Sequence, residues 1–194
     1  MNNEKLLYKK YAKELSKMVA SNEFEKMLGK SVNSKIIKYS ELENYNDLND
    51  LLTENKDYRI ILIETNFNTG HYCCLLKYND NYFEWFDSYG FPPDVEFDFI
   101  PIHIQEILDE KYKILTVLLN KVLLKGGKYI FNDIKFQKQA ANIDTCGRFC
   151  CFTLYMFLKY NYNLKMFQEF MINQKKLTNN PYDILICDFT KPLN

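Results

Sequence analysis

The sequence predicts an α+β fold in which helices flank a central, mostly antiparallel sheet. Short β-branched apolar runs separated by turn residues follow one another in the middle of the chain, and helical apolar spacing lies on both sides of them. No repeat or Gly/Ser linker divides the 194 residues, a length that suits one domain. We therefore expect a single domain over residues 1–194.

Helices are predicted over residues 3–19, 102–125, 147–160 and 164–173, where apolar side chains recur every three to four residues. Residues 21–55 are polar, and their pattern resolves no regular element.

Three strands in series are predicted over residues 58–64, 71–78 and 82–88, with a tight hairpin turn at 79–81 between the last two. A further strand is predicted over residues 128–136, where apolar and polar residues alternate. The hairpin connections make a largely antiparallel sheet the expected arrangement.

Composition narrows the functional classes. Hydrophobic residues make up 47% of the chain and aromatic residues 16%, which is far from a disordered composition. The 25 basic and 25 acidic side chains cancel, so no long-range field favours nucleic acid or an anionic membrane as a partner. The polar N-terminus and the lack of an apolar run of about 20 residues predict a soluble, intracellular protein.

The six cysteines need not form a disulfide framework, because the predicted compartment is reducing. Adjacent cysteine pairs lack the two-residue gap of a zinc knuckle, and the chain has two histidines, so neither a metal nor another cofactor is expected. The six are Cys73, Cys74, Cys146, Cys150, Cys151 and Cys187.

Cys146 is the candidate nucleophile. It follows Asp144 and Thr145, which are good N-cap residues, and so falls in the first turn of a predicted helix. Unpaired amides and the helix dipole stabilise a thiolate at that position. Cys150 and Cys151, one turn further on, are flanked by apolar residues and are expected to be core residues.

His71 is the candidate base, because a thiol hydrolase working at neutral pH uses an imidazole to move the thiol proton. It follows Gly70 at the start of an apolar strand. The other histidine, His103, lies near Pro101 at the opening of a predicted helix and is expected at the surface.

Asp87 is the candidate orienter of that imidazole. It lies near the end of the strand antiparallel to the one that His71 begins, so the hairpin is expected to place them roughly opposite each other, about 5 Å apart. Glu84, which points to the other face of its strand, and Asp94, beyond two prolines, are the alternatives.

An acyl-transfer site also needs donors for the oxyanion, typically the backbone N–H of the nucleophile and a side-chain amide. Gln139 lies seven residues before Cys146, on the loop that enters the helix, and can supply that amide. Gln137 is its competitor.

The order of these residues, His, acid, Gln and then Cys-Gly, resembles the adenain-like and ubiquitin-like-protein-specific cysteine proteases, whose papain-like fold is permuted. Gln139 and the segment CGRFCC that begins at Cys146 are similar to the Gln and Cys-Gly-x-Phe-Cys-Cys segment of the adenovirus maturation protease. The segment FDSYGF, which contains Asp87, is similar to its acid-bearing segment. The resemblance covers about residues 58–160, the expected catalytic core. Tyr72 stands where the family commonly has Trp after the histidine, and adenoviruses tend to use Glu where this chain has Asp87.

The resemblance implies a cysteine endopeptidase from a virus, virophage or related element that processes capsid or other virion precursors in the host cytoplasm and the virion. It implies His71, Asp87, Gln139 and Cys146 as the catalytic set, and small residues, especially Gly, next to the scissile bond. An activating viral peptide remains open, with Cys73 or Cys74 as its attachment point. The alternatives are an isopeptidase that removes ubiquitin or a related modifier from host proteins, and a catalytically inactive interaction module.

Overall fold

The computed structural model describes residues 3–193 and contains a five-stranded sheet. The strands are β1 (Ile36–Lys38), β2 (Tyr58–Asn66), β3 (Thr69–Asn79), β4 (Tyr82–Phe86) and β5 (Lys128–Phe131). They lie side by side in chain order. The two central pairings, β2 with β3 and β3 with β4, are antiparallel, whereas β1 runs parallel to β2 and β5 runs parallel to β4.

The expectation of a mostly antiparallel sheet is therefore wrong at both edges. Two neighbouring parallel strands begin at the same end of a sheet, so the chain must cross back between them. Residues 39–57 make that return between β1 and β2, and residues 87–127 make it between β4 and β5. The second crossover carries Tyr89 and Glu96, two of the residues that lie around Asp87.

Helices cover both faces of the sheet. The α-helices are α1 (Asn3–Lys10), α2 (Ala12–Leu15), α3 (Glu25–Leu28), α4 (Leu48–Leu51), α5 (Ile102–Ile107), α6 (Ile114–Leu124), α7 (Cys146–Tyr160), α8 (Leu164–Thr178) and α9 (Tyr182–Phe189). Short 3-10 helices lie at Ser21–Glu23, Lys30–Lys35, Tyr39–Asn44, Val95–Phe99 and Lys191–Leu193. Within residues 3–193, no helix is both long and apolar enough to cross a membrane.

Burial on both faces explains why the central strands appear as continuous apolar runs. Ile60 and Leu62 of β2 enter a core shared with α7, α8 and α9, while Ile61 and Ile63 enter a second core shared with α4 and α6. In the first core, the ring of Phe136 stacks at 5.9 Å from that of Phe149 in α7. This contact ties the loop before α7 to the body of the fold.

The predicted strands over residues 58–88 and the predicted helix that begins near Cys146 are confirmed within a few residues. The continuous helix predicted over residues 102–125 is wrong, because α5 ends at Ile107 and α6 begins at Ile114. Asp109 in the break adopts a left-handed φ of 58°. Glu110 turns inward there, and its Oε2 accepts a hydrogen bond from the Glu64 N–H at 3.0 Å.

Other boundaries also differ from the prediction. The helix predicted over residues 3–19 is two short helices, and the strand predicted over residues 128–136 ends at Phe131. The helix predicted to end at residue 173 continues to Thr178, and α9, which the pattern did not reveal, follows it. Strand β5 ends at Phe131, but the N–H of the next residue, Asn132, still donates to the Trp85 carbonyl at 3.2 Å, while its side chain bonds to the main chain of Asp87.

Candidate active site

His71 is positioned by the hairpin of β2 and β3. The register pairs His71 with Ile63 and Gly70 with Glu64. A Cβ atom on Gly70 would stand 1.9 Å from the Ile63 carbonyl oxygen, so only glycine permits this close backbone approach. His71 therefore directly follows a backbone contact that leaves no room for a side chain on residue 70, and this contact fixes the place of His71 in the strand.

Asp87 follows the last residue of β4, and its carboxylate bonds directly to the imidazole of His71. His71 Nε2 donates to Asp87 Oδ1 at 2.9 Å, and both side chains are buried. The register pairs Cys74 with Phe86, which sets Asp87 level with Cys73, so His71 reaches it diagonally. The two residues, expected to lie roughly opposite each other, are thus offset by two positions along the strands. The ring of Tyr89 lies level with His71 and stacks on it, with centroids 4.7 Å apart.

Asn132, which sequence reasoning missed, fixes the backbone of Asp87. Asn132 Oδ1 accepts a hydrogen bond from the Asp87 N–H at 2.8 Å, and Asn132 Nδ2 donates to the Asp87 carbonyl at 2.7 Å. Both groups are fully buried. The Tyr89 N–H also donates to Asp87 Oδ1, at 2.6 Å. The carboxylate is therefore held in place from its main chain and its side chain.

Cys146 is the first residue of α7 and is half-buried, next to the Thr145 position that precedes the helix. Thr145 occupies the N-cap position, as expected, but its hydroxyl makes no hydrogen bond to the helix end. It donates instead to Asp183 Oδ1 of α9, at 2.7 Å. The Asp144 N–H donates to the Leu15 carbonyl at 2.7 Å. Segments from both ends of the chain thus anchor the start of α7.

The electrostatics of the site favour a thiolate at Cys146. Burial by itself raises the pKa of this thiol, but the hydrogen bond and charge of His71, together with the amides of Tyr72 and Gly147, lower it below its ordinary value. Because His71 Nε2 is bonded to Asp87, Nδ1 is the ring nitrogen that remains for the thiol.

The electrostatics also favour an imidazolium at His71. Burial opposes this charge. Of its two titratable neighbours, Cys73 and Asp87, the carboxylate supplies the charge and the hydrogen bond that outweigh burial and raise the pKa of His71 well above its ordinary value. Burial raises the pKa of the Cys73 thiol well above its own ordinary value, so Asp87 is the ionised one of these two neighbours. A thiolate and an imidazolium held by a carboxylate are the charge states that nucleophilic thiol chemistry requires.

Comparison with known proteins places the chain in a family. No family model matches the sequence. Over 145 residues the chain is 37% identical to "Uncharacterized protein V9" of Sputnik virophage, covering 75% of this chain and 81% of that protein. This chain belongs to the V9 family. Among solved structures, the ASFV pS273R protease matches with a TM-score of 0.39 and 12% identity, over 74% of this chain and 59% of that chain.

Two cavities of the V9-family chain meet at Cys146. One, of about 400 Å³, lies between residues 18–21 of the N-terminal region and the β2–β3 hairpin, with Tyr72 on its wall. The other, of about 260 Å³, is lined by His71, Tyr89 and both candidate glutamines. Cys146 and Asp144 line both cavities. The thiol therefore lies at the junction of two open spaces, one on each side.

The two glutamines differ in what their amides do. Gln137 is buried, and its Nε2 donates to the Ile143 carbonyl at 2.9 Å while its Oε1 accepts from Ser88 Oγ at 2.7 Å. Gln139 is exposed, and its Oε1 accepts from Lys135 Nζ at 2.7 Å, which leaves Nε2 to act as a donor. The fold thus uses Gln137 as a structural bridge and places Gln139 on the wall of the cavity that contains Cys146.

The alternative residues lie in other networks. Glu84 is buried, and it accepts hydrogen bonds from two tyrosine hydroxyls and from the Leu164 N–H. Asp94 Oδ1 accepts from Tyr39 at 2.8 Å. His103 is exposed, as predicted. Of the two histidines and three acids considered, the fold brings His71 and Asp87 together.

All six cysteines are free, and the expectation of core positions for Cys150 and Cys151 is confirmed. Cys150 Sγ donates to the Tyr72 carbonyl at 3.1 Å. Cys73 and Cys74 are fully buried, so neither offers a surface thiol to which an activating peptide could attach.

Four buried side chains of the V9-family chain have potential metal-binding atoms within 4.8 Å of one another: His71, Cys73, Asp87 and Glu96. Two ligands on a tetrahedral zinc ion stand about 3.3 Å apart or more, given bond lengths near 2.0 Å. His71 Nε2 and Asp87 Oδ1 are closer than that, at 2.9 Å, which is the separation of a direct hydrogen bond. We therefore describe the cluster as a hydrogen-bonded network.

Sequence reasoning missed Glu96 along with Asn132 and Asp183. Glu96 lies two residues beyond Asp94 and is flanked by Val95 and Phe97. An acid between apolar neighbours is a signal of burial, but the sequence does not show which site such an acid faces. Asp183 likewise precedes an apolar run in a segment for which no helix was predicted.

Proposed function

We propose that this V9-family chain is an adenain-like cysteine endopeptidase that cleaves capsid or other virion precursor proteins. The observation that carries the proposal is the series Cys146, His71 and Asp87, in which a helix-start thiol with a lowered pKa contacts an imidazole held by a buried carboxylate. A purely structural core does not need a charged pair of this kind, so a catalytically inactive module is disfavoured.

In the proposed reaction, His71 Nδ1 takes the thiol proton and the thiolate attacks the scissile carbonyl carbon. The N–H of Cys146 and the amide of Gln139 donate to the resulting oxyanion. When the C–N bond breaks, His71 returns the proton to the leaving amine, and a thioester remains on Cys146. A water molecule then loses a proton to His71, attacks the thioester, and releases the acid and the free thiol.

The position of the thiol between two cavities supports endopeptidase rather than end-trimming activity. An extended polypeptide that occupies both cavities presents an internal bond to Cys146. The virophage source of protein V9 supports a role within a viral particle cycle, in the host cytoplasm and the virion. The two residues before Cys146 bond to Leu15 and to Asp183. The proposed catalytic unit therefore extends beyond residues 58–160 toward both ends of the chain.

The first test is chemical. Intact mass and peptide mapping after treatment with a limiting amount of iodoacetamide at neutral pH should show labelling concentrated at Cys146. His71→Ala should slow this labelling by about tenfold or more, because the thiol loses its proton acceptor. His103→Ala is the matched control and should match the wild type. Labelling at Cys146 that His71→Ala leaves unchanged would contradict the proposed pair.

The second test is enzymatic. Virion precursor proteins co-expressed with the wild type should be cleaved, Cys146→Ala should abolish cleavage, and Asp87→Ala should leave a reduced but measurable rate. A probe that carries a ubiquitin-like C-terminal Gly-Gly tests the isopeptidase alternative. Reaction with that probe without cleavage of virion precursors would replace the proposed function with the alternative.

A further inference from the structure

A second carboxyl group stands behind the imidazole. Glu96 lies in the 3-10 helix Val95–Phe99 and is buried, with 6% of its surface exposed. Its Oε1 is 3.9 Å from His71 Nε2 and 3.7 Å from Cys73 Sγ. One carboxylate oxygen of Glu96 also lies within 4.8 Å of one of Asp87, and each carboxyl group shifts the pKa of the other. The histidine is therefore backed by a pair of acids rather than by one.

Two carboxylates in contact inside a protein cannot both be ionised without a large cost, because burial and mutual repulsion both oppose the second charge. Asp87 Oδ2 and Glu96 Oε2 are buried, and neither has a hydrogen-bond partner among the described residues when both groups are taken as carboxylates. One proton between the two acids removes this defect, since it turns one acceptor into a donor.

The contacts indicate which acid holds the proton. Asp87 Oδ1 accepts hydrogen bonds from His71 Nε2 and from the Tyr89 N–H, and both stabilise an ionised carboxylate. Glu96 accepts a hydrogen bond from the thiol of Cys73, which is a weak donor. Burial and the adjacent Asp87 raise the pKa of Glu96 to about 9. The titratable groups that face this pair are His71, Cys73 and Tyr89, and Cys146 interacts with His71.

We propose that Glu96 is a positioning residue, which as a neutral carboxylic acid donates a hydrogen bond to Asp87 and holds that carboxylate toward His71. This inference rests on the proposed function, because it assigns Glu96 a role behind the Cys146–His71 pair. With Glu96 neutral, the imidazolium faces one negative charge rather than two. The acid pair then orients the histidine without binding the transferable proton too tightly to be released.

The experiment is the pH dependence of Cys146 labelling by iodoacetamide in Glu96→Gln and Glu96→Leu. Gln is neutral, similar in shape, and able to donate to Asp87, so its pH midpoint should lie within about 0.3 units of the wild type, with no more than about a threefold loss of rate. Leu cannot donate, so Glu96→Leu should lose about tenfold or more in rate at neutral pH.

A shift of more than about one pH unit in Glu96→Gln would overturn the proposal, because it would mean that a negative charge had been removed from beside His71. Wild-type rate and midpoint in Glu96→Leu would also overturn it. Glu110→Gln is the matched control, since Glu110 is an equally buried acid that bonds to the Glu64 N–H. If Glu96→Leu does not fold, as judged by circular dichroism, the Glu96→Gln profile still decides.

The same data separate this inference from the proposed function. If wild-type labelling is insensitive to His71→Ala, then the Cys146–His71 pair itself is wrong. If the pair behaves as proposed and the Glu96 variants contradict the expected pattern, then only the role of Glu96 is wrong.

Discussion

Replacement of Asn132 by Ala tests whether the fold positions Asp87 through its backbone. Asn132 is fully buried and makes three hydrogen bonds to main-chain groups: the Asp87 N–H, the Asp87 carbonyl and, at 3.2 Å, the Ile134 carbonyl. Each buried main-chain group left without a partner costs about 1–3 kcal/mol. We therefore expect Asn132→Ala to reduce the free energy of unfolding by about 3 kcal/mol or more, a large part of a typical 5–15 kcal/mol.

Urea unfolding followed by tryptophan fluorescence measures this loss. The chain contains one tryptophan, Trp85, which is fully buried and whose carbonyl accepts a hydrogen bond from the Asn132 N–H. With a urea dependence of about 1–3 kcal/mol per molar, the midpoint should fall by about 1 M or more. The exposed Asn33, replaced by Ala, is the control and should change stability by less than about 0.5 kcal/mol.

The same variant should label more slowly at Cys146 at neutral pH in its folded fraction, because Asp87 no longer holds the imidazole in one orientation. A loss of stability below about 1 kcal/mol would refute the reasoning, since it would show that water or rearrangement satisfies the main chain of Asp87.

Three further predictions concern His71, its strand and its thiol partner. Gly70→Ala should destabilise the β2–β3 hairpin and lower the melting temperature by several degrees, because a Cβ atom would stand 1.9 Å from the Ile63 carbonyl; an unchanged melting temperature would contradict this close approach. Because the pKa of Cys146 is lowered, wild-type labelling should persist at lower pH than for an ordinary thiol of pKa about 8.5, whereas in His71→Ala it should fall off at higher pH; coincident profiles would contradict the ion pair. The raised pKa of His71 also makes the free energy of unfolding depend on pH. The pairing of His71 with Asp87 stabilises the fold fully below about pH 6.5, and this contribution is lost as the pH rises through the raised pKa. Urea midpoints measured across pH would detect the loss.

The sequence was sufficient to predict the parts of the site that short-range pattern controls. Alternation, turn residues and β-branched runs located the strands that bear His71 and Asp87, and a helix-start signal located Cys146. These patterns are local because a hairpin brings together residues that are close in the chain. The exact diagonal between His71 and Asp87 was not predictable, since a two-residue difference in register leaves the pattern of apolar residues on each face unchanged.

Tertiary structure alone decided how the pieces are supported. Asn132 is 45 residues from Asp87 in the chain, and Thr145 is 38 residues from Asp183, so no local pattern pairs them. The parallel edges of the sheet likewise depend on crossovers whose path the strand patterns do not encode.

By itself the sequence determined which residue types were available for thiol chemistry and the elements that carry them: one helix-start cysteine, one strand-bound histidine, and an acid on the neighbouring strand. Only the tertiary structure decided that, of the two glutamines lining the same cavity, Gln137 uses its amide in buried hydrogen bonds while Gln139 is exposed, and that Glu96 stands behind the imidazole. The physical reason is that propensity and periodicity act over a few residues, whereas burial and hydrogen-bond partnership are set by segments that meet after the chain has folded.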